Sequence, residues 1–264
     1  MDYQKEFQKM ITSISDSKGI AKVFDDWAEA IACSLHQLPY HSEQLSKDDD
    51  FNKIEDQYMK AIKGYNKEEL EIFAKLMSIA TAALAEKKQD FLGKIYMDLE
   101  IGNKNCGQFF TPYHVSQAMA QITIYPDDLE KIIKEKGFIT ICEPASGAGS
   151  MLIAAAETLE TQGFNPMVNM IFEATDISRL CFNMTYIQTS LCGLAGTVIQ
   201  GDSLTLEVSE IRKTYQLKLL EDHYKHDIAI EKMRQLFKKF EVSNTLPTQI
   251  NYKEEANGQL SFDF

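Results

Sequence analysis

The sequence predicts an α/β protein, in which an N-terminal helical domain is followed by a small parallel β-sheet and by C-terminal helices. Two observations predict this fold class. Up to about residue 125, apolar residues recur every three or four positions, which is the period of an amphipathic helix. From about residue 138 onward, short apolar, β-branched runs alternate with stretches of helical pattern, which is typical of parallel strands joined by helices.

The N-terminal part is interpreted as helices separated by polar loops. A second helix is predicted from about Lys67 to Lys87, and the polar stretch from His41 to Asp50 before it is interpreted as a loop. This stretch has three consecutive aspartates but lacks the spacing of an EF-hand, which favours a solvated turn over a calcium site. The first helix has apolar residues three and four positions apart: Phe24, Trp27, Ile31 and Leu35.

Three strands and two helices are predicted in the following part of the chain. The strand candidates are Phe138–Cys142, Met170–Thr175 and Gly196–Gln200, and helices are predicted at about Ser150–Thr161 and Arg179–Cys192. Because strands and helices alternate, the strands are expected to be parallel, with right-handed crossovers. After Leu204 the pattern returns to helix.

Composition narrows the range of functions. The 264 residues carry 27 basic and 39 acidic side chains, net −12, which argues against a protein that coats nucleic acid through bulk charge. No apolar stretch approaches the length of about 20 residues that a membrane span needs, and no secretory signal is visible. The odd number of widely spaced cysteines disfavours a disulfide framework or zinc knuckle and fits the cytoplasm. They are Cys33, Cys106, Cys142, Cys181 and Cys192.

Only residues 210–240 are positively charged, with eight basic and five acidic side chains. This segment is the candidate DNA-facing surface, and a solvated amphipathic helix is the alternative. Its basic residues are Arg212, Lys213, Lys218, Lys225, Lys232, Arg234, Lys238 and Lys239.

A glycine-rich turn follows the first predicted strand. The segment Glu143–Ser150 reads EPASGAGS, and its GxG allows a ligand to approach the backbone at the start of a helix. It lacks both the GxGxxG dinucleotide pattern and the GK[ST] of a P-loop. Asp176 and Asp202 end the next two strands, where carboxylates can bind a ribose and an adenine amino group. Together these features favour an adenosine-type ligand, although aspartates at strand ends also cap helices.

Several motifs resemble those of one family in order and spacing. Gly107–Pro112 reads GQFFTP, Asp90–Tyr96 reads DFLGKIY, and Glu143–Gly149 is similar to [DE]PACGSG. Asp176-Ile177 with Cys181, and Gly201–Leu204, are similar to the two following motifs. The chain thus resembles adenine-N6 DNA methyltransferases, especially the modification subunits of type I restriction systems, over residues 90 to about 205.

The resemblance implies S-adenosylmethionine as the cofactor and a Rossmann-like class I methyltransferase sheet. It implies that Thr111 and Pro112 flank the methionine end, that Asp176 takes the ribose, and that Asp202 takes the adenine. The glycines of the turn, with Glu143, would cradle the cofactor. The full set of implied cofactor-binding residues is Phe110, Thr111, Pro112, Glu143, Pro144, Ala145, Gly147, Gly149, Asp176, Ile177, Asp202 and Ser203.

The family's catalytic motif, [ND]PP[YF], is absent from the sequence. No two of the six prolines are adjacent, and the nearest match, Phe164–Met167, lies between the first two predicted strands. No catalytic residue is therefore predicted, and His223 and His226 are interpreted as surface residues rather than metal ligands. The sequence favours an S-adenosylmethionine-binding, methyltransferase-like protein that is not catalytically complete alone. The alternative is a non-enzymatic interaction or regulatory protein that binds a protein or DNA partner.

The domain boundaries follow from these patterns. We expect a helical domain at 1–125 that ends in the GQFFTP motif, a partial cofactor domain at 126–205, a helical segment at 206–243 and a tail at 244–264. The resemblance implies half of the family's sheet, in strand order 3-2-1, with the first strand at an edge. A strand near Gln249–Tyr252, a C-terminal helix, or a second chain (a protein partner or another copy) would cover that edge.

The last residues also carry a candidate docking motif. Gln259–Phe264 resembles the QLxLF peptide that binds the replication sliding clamp. A tail that packs on its own domain is the alternative.

Overall fold

Helices joined by short loops and turns form the described part of the chain from Tyr3 to Lys136. The computed structural model describes residues 2–101, 110–223, 251–254 and 260–263. None of the helices in these ranges has the length and apolar character needed to cross a membrane. The helices before the first strand are α1 (Tyr3–Ser13), α2 (Ile20–His41), α3 (Asp49–Ala61), α4 (Lys67–Glu86), α5 (Phe91–Asp98), α6 (Tyr113–Thr123) and α7 (Pro126–Lys136).

A four-stranded sheet follows, with the order β1-β2-β3-β4. The first three strands are parallel, and β4 is antiparallel to β3. The strands are β1 (Ile139–Glu143), β2 (Met170–Asp176), β3 (Ala195–Asp202) and β4 (Glu207–Lys213). The helices between and after them are α8 (Ser150–Thr161), α9 (Pro166–Asn169), α10 (Arg179–Leu191) and α11 (Tyr215–His223).

The predicted parallel part of the sheet is confirmed. β1, β2 and β3 each lie within one residue or two of the predicted strands, and α8 has the predicted bounds. The two predicted N-terminal helices correspond to α2 and α4. The N-terminus of α4 is stabilised by a capping box, in which the side chains of Asn66 and Glu69 each accept the other residue's backbone N–H.

The loop predicted from His41 to Asp50 is shorter than expected. α3 already begins at Asp49, because Asp48 caps its N-terminus by accepting the Phe51 N–H at 2.9 Å. Two of the three consecutive aspartates therefore lie in the first helical turn, where negative charge is favourable.

The predicted strand order 3-2-1 is wrong as a description of the whole sheet, because a fourth strand pairs with β3. That strand lies in the segment 206–243, which was predicted to be helical. Glu210 and Arg212 are buried although they are charged, so β4 lacks the alternation of apolar and polar residues by which a strand is recognised. The helical prediction holds for α11, and residues 224–243 lie outside the described residues.

The strand predicted near Gln249–Tyr252 corresponds to β5 (Asn251–Glu254), but it does not cover β1. It pairs with β6 (Leu260–Asp263) in a separate two-stranded antiparallel sheet. Within the described residues, β1 pairs with β2 alone. The docking motif at Gln259–Phe264 overlaps β6, while Gln259 and Phe264 themselves lie outside the described residues, so sliding-clamp binding stays a prediction.

One apolar cluster connects the helices to the sheet. Phe7 and Phe24 pack on the fully buried Trp27 ring system, and Phe91 packs on Phe7. The Trp27 indole N–H donates to the Phe73 carbonyl at 3.1 Å. The same cluster continues through α8, β2 and α10. Helix α10 packs against α2, β2 and β3. The helices before the sheet therefore hold α10 in a fixed position beside β2 and β3.

Candidate functional site

The glycine-rich turn connects the end of β1 to the start of α8. Glu143 is the last residue of β1, and its side chain accepts the Ala145 N–H at 3.2 Å. Gly147 and Gly149 have φ values of +56° and +90°, in the left-handed region that favours glycine. Gly149 is the N-cap of α8, so the turn brings the N-terminus of that helix to the end of the sheet. Free backbone N–H groups and the positive end of the helix dipole favour a polar or anionic ligand there.

Asp176 joins the end of β2 to this turn. Its Oδ2 accepts the Gly147 N–H at 2.8 Å, and its Oδ1 accepts the Ser178 N–H at 2.9 Å. Burial raises the pKa of Asp176, while the N–H groups of Ser178 and Gly147 oppose that rise. Each carboxylate oxygen has a second lone pair, so the same group can also accept a hydrogen bond from a ligand hydroxyl.

Asp202 ends β3, on the same edge of the sheet. Its Oδ1 accepts the Leu204 N–H at 2.8 Å, which stabilises the turn into β4. Asp176 pairs with Gln200 in the β2–β3 register, so Asp202 lies two residues, about 7 Å, further along its strand. Glu143, Asp176 and Asp202 therefore lie at the carboxyl ends of three adjacent strands and define what we call the strand-end crevice. The alternative predicted for the aspartates is helix capping, but the N-cap of α10 is Ser178, and Asp202 leads into a turn before β4.

Phe110 lies against the glycine turn. A Cβ on Gly147 would be 3.1 Å from the Phe110 ring, which itself packs on the Tyr96 ring at a centroid distance of 5.0 Å. Thr111 and Pro112 are exposed, and Pro112 is the N-cap of α6. The structure thus brings Phe110 and the glycine turn together, and their role in cofactor binding stays a prediction. Gly107, Gln108 and Phe109 lie outside the described residues.

The remaining candidate residues surround the strand-end crevice. Pro144 and Ala145 are exposed in the turn after β1, and Ser203 is half-buried after β3. Ile177 follows Asp176 and is 71% exposed. An exposed apolar side chain beside a carboxylate is suited to packing on a flat heterocycle whose polar groups reach the carboxylate.

Comparisons with known proteins bear on this geometry. The N-6 DNA Methylase family model matches residues 87–251, which is more than half of the chain. The chain belongs to the N-6 DNA methylase family. The part of the chain that matches the family model begins just before Asp90 and includes the whole strand-end crevice.

Two solved structures are similar to this family member. One is a protein from Listeria monocytogenes that is provisionally assigned as a class I S-adenosylmethionine-dependent methyltransferase. It is 15% identical, the TM-score is 0.37, and the match covers 82% of this chain and 79% of that protein. The other is the methyltransferase subunit of a type I restriction-modification system from Streptococcus thermophilus, with 10% identity and a TM-score of 0.33, covering 73% of this chain and 55% of its own. A search of curated proteins finds no match.

The sequence analysis did not predict the side chains of α10 that hold the glycine turn in place. Thr185 of α10 donates to the Gly147 carbonyl at 2.9 Å, and it also bonds the Ser146 hydroxyl. Gln188, one helical turn later, donates to the Ala148 carbonyl at 2.7 Å. Both are fully buried. The available signal was two polar residues three positions apart on the buried side of a helix.

Three of the eight basic residues of the segment 210–240 lie in the described part of the chain, and one of them contradicts the predicted surface. Arg212 is fully buried in β4, so its predicted DNA-facing position is wrong. Lys213 forms an ion pair with Glu221 at 2.8 Å, and the Lys218 ammonium lies over the Tyr40 ring. The other basic residues lie outside the described residues: Lys225, Lys232, Arg234, Lys238 and Lys239.

The nearest match to the catalytic motif lies away from the strand-end crevice. Asn165 and Pro166 begin α9, immediately before the first residue of β2, whereas Asp176 is its last residue. They are therefore at the opposite end of the strand, about 20 Å away. Across the described ranges, no three His, Cys, Asp or Glu side chains are grouped to hold a metal ion, and His226 lies outside those ranges.

Proposed function

We propose that this chain binds S-adenosylmethionine in the strand-end crevice and acts in adenine-N6 methylation of DNA as a subunit that is not catalytically complete alone. The observation that carries the proposal is the bond from the Gly147 N–H to Asp176. It holds the Asp176 carboxylate, to which the resemblance assigns the ribose, against the glycine turn at the strand ends, where nucleotide-type ligands bind in doubly wound α/β folds.

The residues present fit the cofactor. Gly147 and Gly149 have no side chains and positive φ values, so the turn can approach a ligand closely. Asp176 retains lone pairs for the ribose hydroxyls, and Asp202 offers a carboxylate further along the sheet for the adenine amino group. When bound, S-adenosylmethionine supplies the methyl group. The residues of this chain bind and orient it.

Methyl transfer to adenine needs groups that orient the target amino group. The family uses an Asn or Asp and a proline carbonyl for this purpose, and the sequence has no two adjacent prolines to provide them. Asn165 and Pro166 lie at the other end of the sheet. We therefore propose that a second polypeptide, either a protein partner or another copy of the chain, supplies the target-binding groups, and that DNA is engaged by the assembly.

Cofactor binding tests the first part of the proposal. Isothermal titration of S-adenosylmethionine should show binding to the wild type and at least tenfold weaker binding to Asp176→Ala, because a hydrogen bond to a charged group contributes about 1.5–3 kcal/mol. Asp25→Ala is the matched control, because Asp25 is an exposed aspartate on α2. Wild-type protein that binds no cofactor, or an Asp176→Ala variant with unchanged affinity, contradicts the proposal.

Methylation assays test the second part. The purified chain should transfer no methyl group to adenine-containing DNA alone, and should do so when extract from the source cell supplies the partner. Transfer by the chain alone would show that it is catalytically complete. Absence of both cofactor binding and transfer would favour the non-enzymatic interaction protein.

A further inference from the structure

The amide of Gln188 connects the glycine turn to α5, a helix outside the sheet. Gln188 lies on α10 and is fully buried. Its Nε2 donates to the Ala148 carbonyl at 2.7 Å and to Asp90 Oδ1 at 2.9 Å, and its Oε1 accepts the Leu92 N–H at 2.9 Å. Both N–H groups and the carbonyl of this one side chain are therefore used. We infer that Gln188 is a positioning residue that sets the glycine turn against α5, and so sets the affinity for the cofactor; this rests on the proposed function.

The partners of Gln188 allow a single orientation of its amide. The Ala148 carbonyl can only accept, and the Leu92 N–H can only donate. Turning the amide by 180° would direct its oxygen at two acceptors and its NH2 group at a donor. The amide is therefore held rigidly, and a side chain of similar length without the amide would leave buried polar groups unpaired.

Asp90 is held as firmly on the α5 side. It is buried, and it caps α5 by accepting the Gly93 N–H at 3.0 Å. A Cβ on Gly93 would lie 2.2 Å from Asp90 Oδ2, so the carboxylate occupies the space that a side chain at Gly93 would fill. Burial raises the pKa of Asp90, and the bonds from Gln188 and Gly93 counteract this rise. The connection through Gln188 thus ends on a fixed group rather than on a mobile side chain.

The same two parts of the chain meet again at the aromatic rings. Tyr96 of α5 packs on Phe110, and Phe110 lies against Gly147. Phe110 and the glycine turn are adjacent parts of the proposed cofactor site. Gln188 and the Tyr96–Phe110 contact therefore hold the turn in position relative to α5 at two points. Thr185 and Asp176, by contrast, hold the turn only to α10 and β2.

The test uses Gln188→Met, which keeps the length of the side chain and removes the amide. Thr189→Val is the matched control, because Thr189 is the next residue of α10, is equally buried, and donates only to carbonyls of its own helix. We expect S-adenosylmethionine to bind Gln188→Met about tenfold more weakly than wild type, which corresponds to about 1.4 kcal/mol of binding free energy, and Thr189→Val to bind normally. Amide hydrogen exchange over residues 146–149, without cofactor, should be faster in Gln188→Met alone.

If Gln188→Met does not fold, cofactor affinity and amide exchange are measured in two variants of Asp90 instead. Asp90→Ser can still cap α5 but is too short to reach Gln188, and Asp90→Asn keeps an acceptor for both bonds. Asp90→Ser should show fast exchange in the turn and weak binding, and Asp90→Asn should resemble wild type. If the wild type binds no cofactor, the proposed function fails, while exchange in the turn still tests Gln188. Exchange and affinity in Gln188→Met and Asp90→Ser equal to those of Thr189→Val would overturn the inference.

Discussion

The buried guanidinium of Arg212 makes a sharp prediction about stability. Its Nε donates to Glu210 at 2.7 Å and its Nη2 donates to the Gln57 side chain at 2.8 Å. The group lies over the rings of Phe182 and Tyr186, at 5.2 and 5.8 Å from their centroids. Replacing Arg212 by Met keeps most of the apolar packing and removes the charge, these two bonds and a longer contact from Nη2 to Glu29 at 3.5 Å.

The magnitude follows from what remains after the substitution. Glu210 is 8% exposed and keeps one ion pair, to Arg179 at 2.8 Å, so its charge is not left alone. Removal of one partner of a buried ion pair costs about 3–5 kcal/mol when nothing else compensates. Two lost bonds to a charged group, at about 1.5 kcal/mol each, give about 3 kcal/mol. We therefore expect the free energy of unfolding of Arg212→Met to fall by about 3 kcal/mol.

Urea unfolding measures this difference, and Lys213→Met is the matched control. Lys213 is the next residue of β4, and its ion pair with Glu221 leaves the two side chains 22% and 26% exposed. Such a pair contributes about 0–1 kcal/mol. If Arg212→Met loses no more than Lys213→Met, the ion pairs around Arg212 contribute nothing to holding β4 on the helical part, and the reasoning is refuted.

Two more predictions follow from single contacts. Gly93→Ala should lower the free energy of unfolding by about 1–3 kcal/mol in thermal denaturation, because its Cβ would lie 2.2 Å from the Asp90 carboxylate; the stabilisation usual for Gly→Ala in a helix would contradict this. Burial raises the pKa of Glu29, but its hydrogen bond and charge contact with Arg179 outweigh burial and lower it to about 2, from 4.5. Because the folded-state pKa is depressed, this stabilisation is present above pH 4.5 and is lost as the pH falls towards 2. Unfolding measured across that range should be less pH-dependent in Glu29→Gln, and an equal slope would count against the Arg179 contact.

The parallel strands and the helices that connect them could be predicted because their signals are local. The apolar run before Glu143 and the two glycines after it mark the end of a strand and the start of a helix. β4 could not be predicted in this way. Its inward-facing residues, Glu210 and Arg212, are charged, and Arg212 reaches Glu29, 183 positions away along the chain. Sequence analysis that takes charged residues to be exposed assigns such residues to the surface.

The candidate site was predictable only in part, for a similar reason. Parallel strands end at one edge, so Glu143, Asp176 and Asp202 could be placed together before the structure was available. The groups that give the turn its geometry could not be found this way. Gln188 bonds Asp90 across 98 positions, and its role depends on the exact approach of α10 to α5.

The two edges of the sheet bear on where a second polypeptide would bind to this chain. At one edge of the sheet β4 pairs with β3 alone within the described residues, and its charged side chains are buried and paired with Glu29 of α2 and Arg179 of α10. On the other side, β1 pairs with β2 alone within the described residues, and its Thr140 and Cys142 are exposed. An unpaired strand edge leaves N–H and C=O groups that another strand can satisfy. Because the glycine turn continues directly from β1, a polypeptide added at this edge would lie beside the proposed cofactor site, which is where target-binding groups are needed.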